Sequence, residues 1–295
     1  MTEYNLSHVK RGLRNPHRVA LEIYKLYQRK ILKNTGVRIL DRDWDNLIIL
    51  DGCRYDIFAK SDYPDGQLQK EISRGSQTEE FLKKNFPSKK YPDIVYISAN
   101  PNIKYLNSKF FKRVRLWENQ WNNELNVVHP ESVTDWVIEN AEEYANKRMI
   151  VHYMQPHYPF IGDTGQDLMS SPEIAHLTDG NEFWRQYKKL SEQDKSRFRE
   201  AYNENLAITI NHVDRALGSL KGKTVVTSDH GNEFGKWGIY GHPAGVYSDG
   251  LVEVPWLVIN QEGNTRKQII GGNATDGPAN NDALVEERLK YLGYK

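Results

Sequence analysis

Five short runs of apolar side chains punctuate the sequence: Asn46-Leu-Ile-Ile-Leu50, Ile94-Val-Tyr-Ile-Ser98, Met149-Ile-Val-His-Tyr153, Thr224-Val-Val-Thr-Ser228 and Val254-Pro-Trp-Leu-Val-Ile259. Their apolar residues are consecutive rather than alternate, and many are β-branched, as in strands buried on both faces of a mainly parallel sheet. Between them, Glu79–Asn85, Glu131–Ala145, Ser191–Leu220 and Ala283–Leu292 read as helices. The alternation predicts an α/β fold with a mainly parallel central sheet and helices on both of its faces. Pro255 has no N–H to give a ladder, so it predicts an edge position or a strand start. The polar stretch at about 162–196 is too long for a simple connection and is expected to fold over something as a lid or cap. No run approaches the roughly 20 apolar residues of a membrane span.

Ahead of the first strand the pattern changes. Residues 1–34 hold eight Lys/Arg against Glu3 and Glu22, a net +6, which leaves −5 for the remainder of a chain whose formal charge is +1. Val19, Ile23, Leu26, Tyr27 and Ile31 recur there at helical spacing, with basic residues between them. Residues 1–38 are therefore expected to form a basic amphipathic helical arm, and 39–295 a single domain carrying the 162–196 insert. The arm either attaches to an anionic membrane surface or acidic polymer, or packs its apolar stripe on the domain. An acidic body without interleaved aromatic and basic residues gives no reason to expect a nucleic-acid partner. The composition, 38% hydrophobic and 27% charged, is that of an ordinary globular chain. The lone Cys53 forms no internal disulfide, and the start shows no apolar leader. The expectation is a cytoplasmic protein, peripheral to the membrane if the arm binds there.

Candidate chemistry gathers at the carboxyl ends of the strands, where open α/β sheets bind ligands. The first strand ends in Asp51, the fourth runs into Asp229-His230-Gly231, and the third into Met154-Gln-Pro-His157-Tyr-Pro159. One aspartate after a strand is usually a turn or a helix cap. Two of them with an adjacent imidazole form a mixed oxygen and nitrogen set suited to zinc or manganese.

The wider wording carries a resemblance. Thr227-Ser-Asp-His-Gly-Asn-Glu-Phe-Gly-Lys-Trp-Gly-Ile-Tyr-Gly-His-Pro243, the Val254-Pro strand, Leu50-Asp-Gly-Cys-Arg-Tyr-Asp56, the helix through Tyr202–Leu217 and the ending Val285–Tyr294 together resemble the alkaline phosphatase/sulfatase superfamily over about residues 45–294. Ser73-Arg-Gly-Ser-Gln-Thr-Glu-Glu-Phe-Leu82 is similar to the nucleophile segment of lipoteichoic acid synthases and phosphoethanolamine transferases. Counting back from Phe81 places Ser76 at the nucleophile, ahead of Thr78, whose other role is to cap the helix; Ser73 ranks third. The resemblance implies a metal-dependent hydrolase or transferase of phosphate esters that forms a covalent phosphoryl-enzyme intermediate, with a glycan or lipid intermediate among the substrates to consider. A sulfuric ester hydrolase and a non-catalytic metal-binding member of the fold are the alternatives.

The chain lacks Cys-x-Pro-Ser-Arg, so formylglycine chemistry is disfavoured, and it lacks Asp-x-x-x-His, half of the usual second metal site. One firm divalent ion is expected on Asp51, Ser76, Asp229 and His230, with Mn or Zn first and Ca third. By the same resemblance, His157 and His242 lie on the substrate side, binding phosphoryl oxygens, protonating the leaving group or holding a weaker second ion. Arg54 and Arg74 are candidate substrate clamps, with an ion pair to Asp56 as Arg54's equal alternative. His129, His152, His176 and His212 read as structural. Ser98-Ala-Asn-Pro101 closes a strand and lines the pocket without an assigned step.

Overall fold

Residues 35–171, 180–259, 265–274 and 282–294 are described by the computed structural model. All but the last four residues of the expected basic arm lie outside them, as do residues 172–179 of the insert.

Seven strands form the central sheet: β1 (Asn46–Asp51), β2 (Gln67–Ile72), β3 (Lys90–Ser98), β4 (Lys109–Arg115), β5 (Arg148–Pro156), β6 (Thr224–Ser228) and β7 (Glu253–Ile259). Their order across the sheet is β2-β7-β6-β1-β5-β3-β4. β1 pairs in parallel with β5 on one side and β6 on the other, and only β7 runs against its neighbours. The apolar runs occupy the middle, where every residue of β1 and β6 is buried. Helices α1 (Thr78–Asn85), α2 (Pro130–Asn140), α3 (Asp163–Met169), α4 (Gly180–Tyr187), α5 (Glu192–Leu217) and α6 (Asp282–Tyr291) flank the sheet, giving the α/β architecture expected from the alternation. α5 starts where Ser191 accepts a hydrogen bond from the Asp194 N–H (3.1 Å), an ordinary N-cap.

Two strands were not apparent in the apolar pattern. β2 and β4 are the sheet's edges, and their sequences, QLQKEI and KFFKRVR, leave charged side chains toward water, as edges do. The expectation for Pro255 divides. β7 is an interior strand, so the edge reading fails. Its ladder to β6 begins only at Trp256, however, so at Pro255 a single neighbour, Lys70 of β2, lies alongside, and the missing N–H breaks no rung on the β6 side.

The described parts of the insert do not stand apart from the body. α3 and α4 enclose Phe160, Leu168, Phe183 and Tyr187 with Phe198 and Tyr202 of α5 in a second apolar cluster. Trp184 and Tyr187 reach Phe234 and Tyr240 (ring centroids 6.1 and 5.9 Å). The insert therefore backs the glycine-rich loop that leads to His242.

Candidate active site

Because Leu50 of β1 pairs with Ser228 of β6, the next residue on each strand is an aspartate, and Asp51 and Asp229 emerge side by side. The β1–β5 register shifts between Leu50 and Asp51, and the His157 N–H then bonds the Asp51 carbonyl (3.1 Å). This draws the loop after β5 over the same end of the sheet. Gly52 turns the chain away at φ +67°, a conformation in which a side chain is strained, and its N–H donates to Asp229 Oδ1 (3.1 Å). The His230 N–H donates to the same oxygen (2.8 Å), which leaves Asp229 Oδ2 facing inward.

Thr78, the first residue of α1, projects into this cluster. Its Oγ1 lies 2.7 Å from Asp229 Oδ2, 3.3 Å from Asp51 Oδ2 and 3.3 Å from His230 Nε2. His230 Nε2 is 3.5 Å from both Asp51 Oδ1 and Asp229 Oδ2. These separations suit a cation at the centre, since four ligands at about 2.0 Å in a tetrahedron stand about 3.3 Å apart. The tautomer fits as well: His230 Nδ1 bonds the Gly231 carbonyl (2.7 Å), so Nε2 keeps its lone pair for a ligand. Burial and mutual repulsion push the Asp51 carboxyl well above its usual range, against hydrogen bonds from Tyr294, Asn100 and Thr78; burial likewise raises Asp229. Burial holds His230 down at about 4, as a neutral imidazole. Two wholly buried carboxylates with no protein cation against them are a costly arrangement unless a bound ion compensates.

His152, read from the sequence as structural, belongs to the same cluster. Asp51, His152 and Asp229 each offer a ligand atom, all within 4.8 Å of one another, and could hold a metal ion. His152 Nε2 is buried without a hydrogen-bond partner, while Nδ1 is 3.1 Å from the Tyr96 hydroxyl. The signal was faint: a lone histidine in an otherwise apolar strand. Asn100, of the stretch expected to line the pocket, bonds Asp51 Oδ2, and Tyr294, which the sequence did not mark as a site residue, lies 2.9 Å from both Asp51 oxygens.

Ser76 has other partners than the aspartate–histidine cluster. Its hydroxyl donates to Glu80 Oε2 (3.0 Å) and to the Pro243 carbonyl (3.2 Å), and accepts from the Gly245 N–H (2.8 Å). The difference has a simple cause. α1 begins at Thr78, so the helix N-terminus that meets the carboxylates presents Thr78, while Ser76 lies on the approach and is tied to the loop after His242. Ser73 donates to the Asp229 backbone carbonyl.

His157 and His242 come together with their Nε2 atoms 2.8 Å apart. The His242 ring is 4.8 Å from that of His230. Burial, reinforced by the neighbouring imidazoles, depresses both well below the usual histidine range. Arg54 takes its structural alternative: it forks onto Asp56 (2.8 and 2.8 Å) and bonds the Asn232 carbonyl (2.9 Å). It also walls a cavity of about 770 Å³ with Asp56, Lys60, Arg199, Phe234 and Lys236, whose lining does not include the aspartate cluster. Arg74 keeps a buried Nε without a hydrogen-bond partner, and its carbonyl accepts from Lys84 (2.9 Å); no contact brings it to the cluster.

The fold is similar to that of a solved phosphoethanolamine transferase-type domain, as the motifs led one to expect. Among solved structures, the chain resembles the C-terminal periplasmic domain of EptC from Escherichia coli in complex with zinc, at 14% identity over 74% of this chain and 72% of that one, with a TM-score of 0.50. It also resembles the C-terminal periplasmic domain of the phosphoethanolamine transferase EptC from Campylobacter jejuni (13% identity, 74% and 78%, TM-score 0.46) and BT1596, a 2-O GAG sulfatase (13%, 61% and 46%, TM-score 0.38). No protein-family model matches the chain, and no curated protein does. The cytoplasmic expectation is corrected: the E. coli domain that the chain resembles is periplasmic, and one buried cysteine suits that setting equally. Among the described residues no helix is long and apolar enough to cross a membrane.

Proposed function

We propose that this chain is a metal-dependent enzyme of phosphate esters in which Thr78, rather than Ser76, is the nucleophile. The observation that carries the reading is the position of Thr78 Oγ1 at the start of α1, 2.7 to 3.3 Å from Asp229, Asp51 and His230. A divalent cation held by Asp51, Thr78, Asp229 and His230, with His152 at its side, would supply positive charge that lowers the pKa of the hydroxyl and offsets charge on the phosphoryl oxygens. Thr78 Oγ1 attacks phosphorus as the ester oxygen departs on the opposite side, leaving a phosphothreonine. The N–H groups of the first turn of α1 face the same anion. His157 and His242, neutral imidazoles in the resting site, bind its oxygens, and one of them takes up the Thr78 proton and passes it to the leaving oxygen. Water then releases phosphate, or an acceptor alcohol takes up the phosphoryl group. The zinc and periplasmic setting of the E. coli neighbour support an extracytoplasmic role with zinc as the first metal to test; glycan and lipid esters are the substrates to try.

The test is turnover of chromogenic phosphodiesters, phosphomonoesters and sulfate esters by protein stripped of metal and reloaded with zinc, manganese or calcium, with mass spectrometry for phosphate on Thr78. Zinc-dependent turnover lost in Thr78→Ala is the expected result. A preference for sulfate esters would move the enzyme to the sulfatase side. Stoichiometric metal binding without turnover or covalent labelling, on esters and on donor–acceptor pairs alike, would leave a non-catalytic metal-binding member of the fold.

A further inference from the structure

The last described residue, Tyr294, enters the site from a segment that neither strand ends nor the nucleophile helix supply. α6 closes with two bonds, the Gly293 N–H to the Lys290 carbonyl (3.0 Å) and the Tyr294 N–H to the Leu289 carbonyl (2.9 Å), with Gly293 at φ +81°. This is a Schellman closure, in which a left-handed glycine reverses the chain just past the helix. Here the reversal sends Tyr294 inward while Val285, Leu289 and Leu292 anchor the helix in the interior.

The phenol is engaged on every side. Its oxygen donates toward Asp51 Oδ1 and Oδ2 (2.9 Å each), accepts from Asn100 Nδ2 (3.2 Å), and lies 2.9 Å from Thr78 Oγ1. Its ring stacks on His157 (centroids 5.2 Å apart, planes at 12°) and stands 5.3 Å from His242. A buried tyrosine usually finds one partner for its hydroxyl. This one spends its hydroxyl on the carboxylate floor and its ring face on the imidazole pair.

We propose that Tyr294 is a positioning residue of the active site, its hydroxyl orienting the Asp51 carboxylate and its ring fixing the plane of His157. The inference rests on the reading of Asp51 as a metal ligand. A carboxylate that ligates through one oxygen is held in orientation by a donor on the other, and loss of such a partner typically lowers metal affinity about 10–100-fold. The C-terminal segment is then part of the site.

The experiment uses the full chain with Tyr294→Phe, which keeps the stacked ring, and Tyr294→Ala, which removes both contacts. Zinc affinity is read by competition with a chromophoric chelator, folding by circular dichroism, and kcat and KM on the preferred chromogenic ester. Tyr294→Phe is expected to fold normally and to bind zinc about 10–100-fold more weakly. Tyr294→Ala is expected to show that loss and, at saturating zinc, a kcat below that of Tyr294→Phe. Unchanged zinc affinity in a folded Tyr294→Phe would overturn the inference while leaving the parent reading intact. Faster turnover in Tyr294→Phe would also overturn it, by showing the phenol to be an obstacle. Failure of the unaltered chain to bind zinc at all would overturn both together.

Discussion

The two halves of the site are built differently. The carboxylate floor stands on the ends of adjacent parallel strands, and its geometry is fixed by backbone: Asp229 Oδ1 is taken by two N–H groups, and His230 Nδ1 by a carbonyl. The imidazole wall stands on two loops, one after β5 and one after the glycine-rich stretch. Its two Nε2 atoms are bonded to each other, and His242 Nδ1 is buried without a partner. The floor is made to hold a charge in one place. The wall carries unspent hydrogen-bonding capacity, as a surface that changes partners when an anion arrives must. If the division is real, damage to the floor removes the metal and the chemistry together, and damage to the wall removes chemistry alone.

Asp229→Asn gives the largest effect. With one carboxylate neutralised, the site holds zinc poorly, and turnover falls by about 10⁴-fold or more; atomic absorption on the purified variant and initial rates measure the two losses. Thr78→Ala comes next, since it removes the chemistry alone: turnover falls by orders of magnitude, as when other nucleophiles are removed. Zinc is retained there on Asp51, Asp229 and His230. His157→Gln and His242→Gln are expected to lower kcat by about 10²-fold, the lower range for an acid–base group, with full zinc content. Loss of zinc in either histidine variant would dissolve the distinction between floor and wall.

The interior of the sheet could be read from the sequence because its strands bury both faces. β1 and β6 are buried along their whole length, and Asp51 and Asp229, at the end of one and just past the end of the other, stand out for that reason. The edge strands could not be read so, because QLQKEI and KFFKRVR resemble surface. The start of α1 could be located from the sequence, but not which hydroxyl meets the aspartates. Counting from Phe81 fixes the helix and leaves open which hydroxyl begins it, and Ser76 and Thr78 differ only in that. His152 and Tyr294 were hidden for another reason. Their roles come from contacts made over more than a hundred residues of chain, from β5 and from the end of α6, and a lone histidine in a strand or tyrosine after a helix carries no local mark of such a partner.

Protonation separates the halves more finely. In the metal-free chain, burial raises the Asp51 and Asp229 carboxyls, with repulsion from Asp229 adding to it at Asp51, whereas burial depresses His152 and His230 to about 4. In mildly acidic buffer the imidazoles are therefore already neutral, and a proton lost on metal binding comes from the carboxylate pair. Zinc titrations followed by calorimetry in two buffers of different ionisation enthalpy are expected to show proton release, and zinc affinity is expected to rise with pH in that range. Binding without proton release would mean that the floor is ionised before the metal arrives.

The smallest effect falls between the two halves. Ser76 joins the approach to α1 with the loop that follows His242: its Oγ accepts from the Gly245 N–H and donates to Glu80, while Glu80 also accepts from the Ser76 N–H (2.9 Å) and pairs with Lys84 (2.7 Å). Ser76→Ala leaves the buried Gly245 N–H without its acceptor, at a cost of about 1–3 kcal/mol in stability, readable in urea melts. Its hydroxyl touches neither the carboxylates nor His230, so zinc affinity is expected to be unchanged and kcat to stay within about threefold. What moves is the loop behind His242, so a modest rise in KM is expected with the floor intact. A collapse of kcat in Ser76→Ala as deep as that in Thr78→Ala would return the nucleophile to Ser76 and require the start of α1 to shift by two residues when substrate binds.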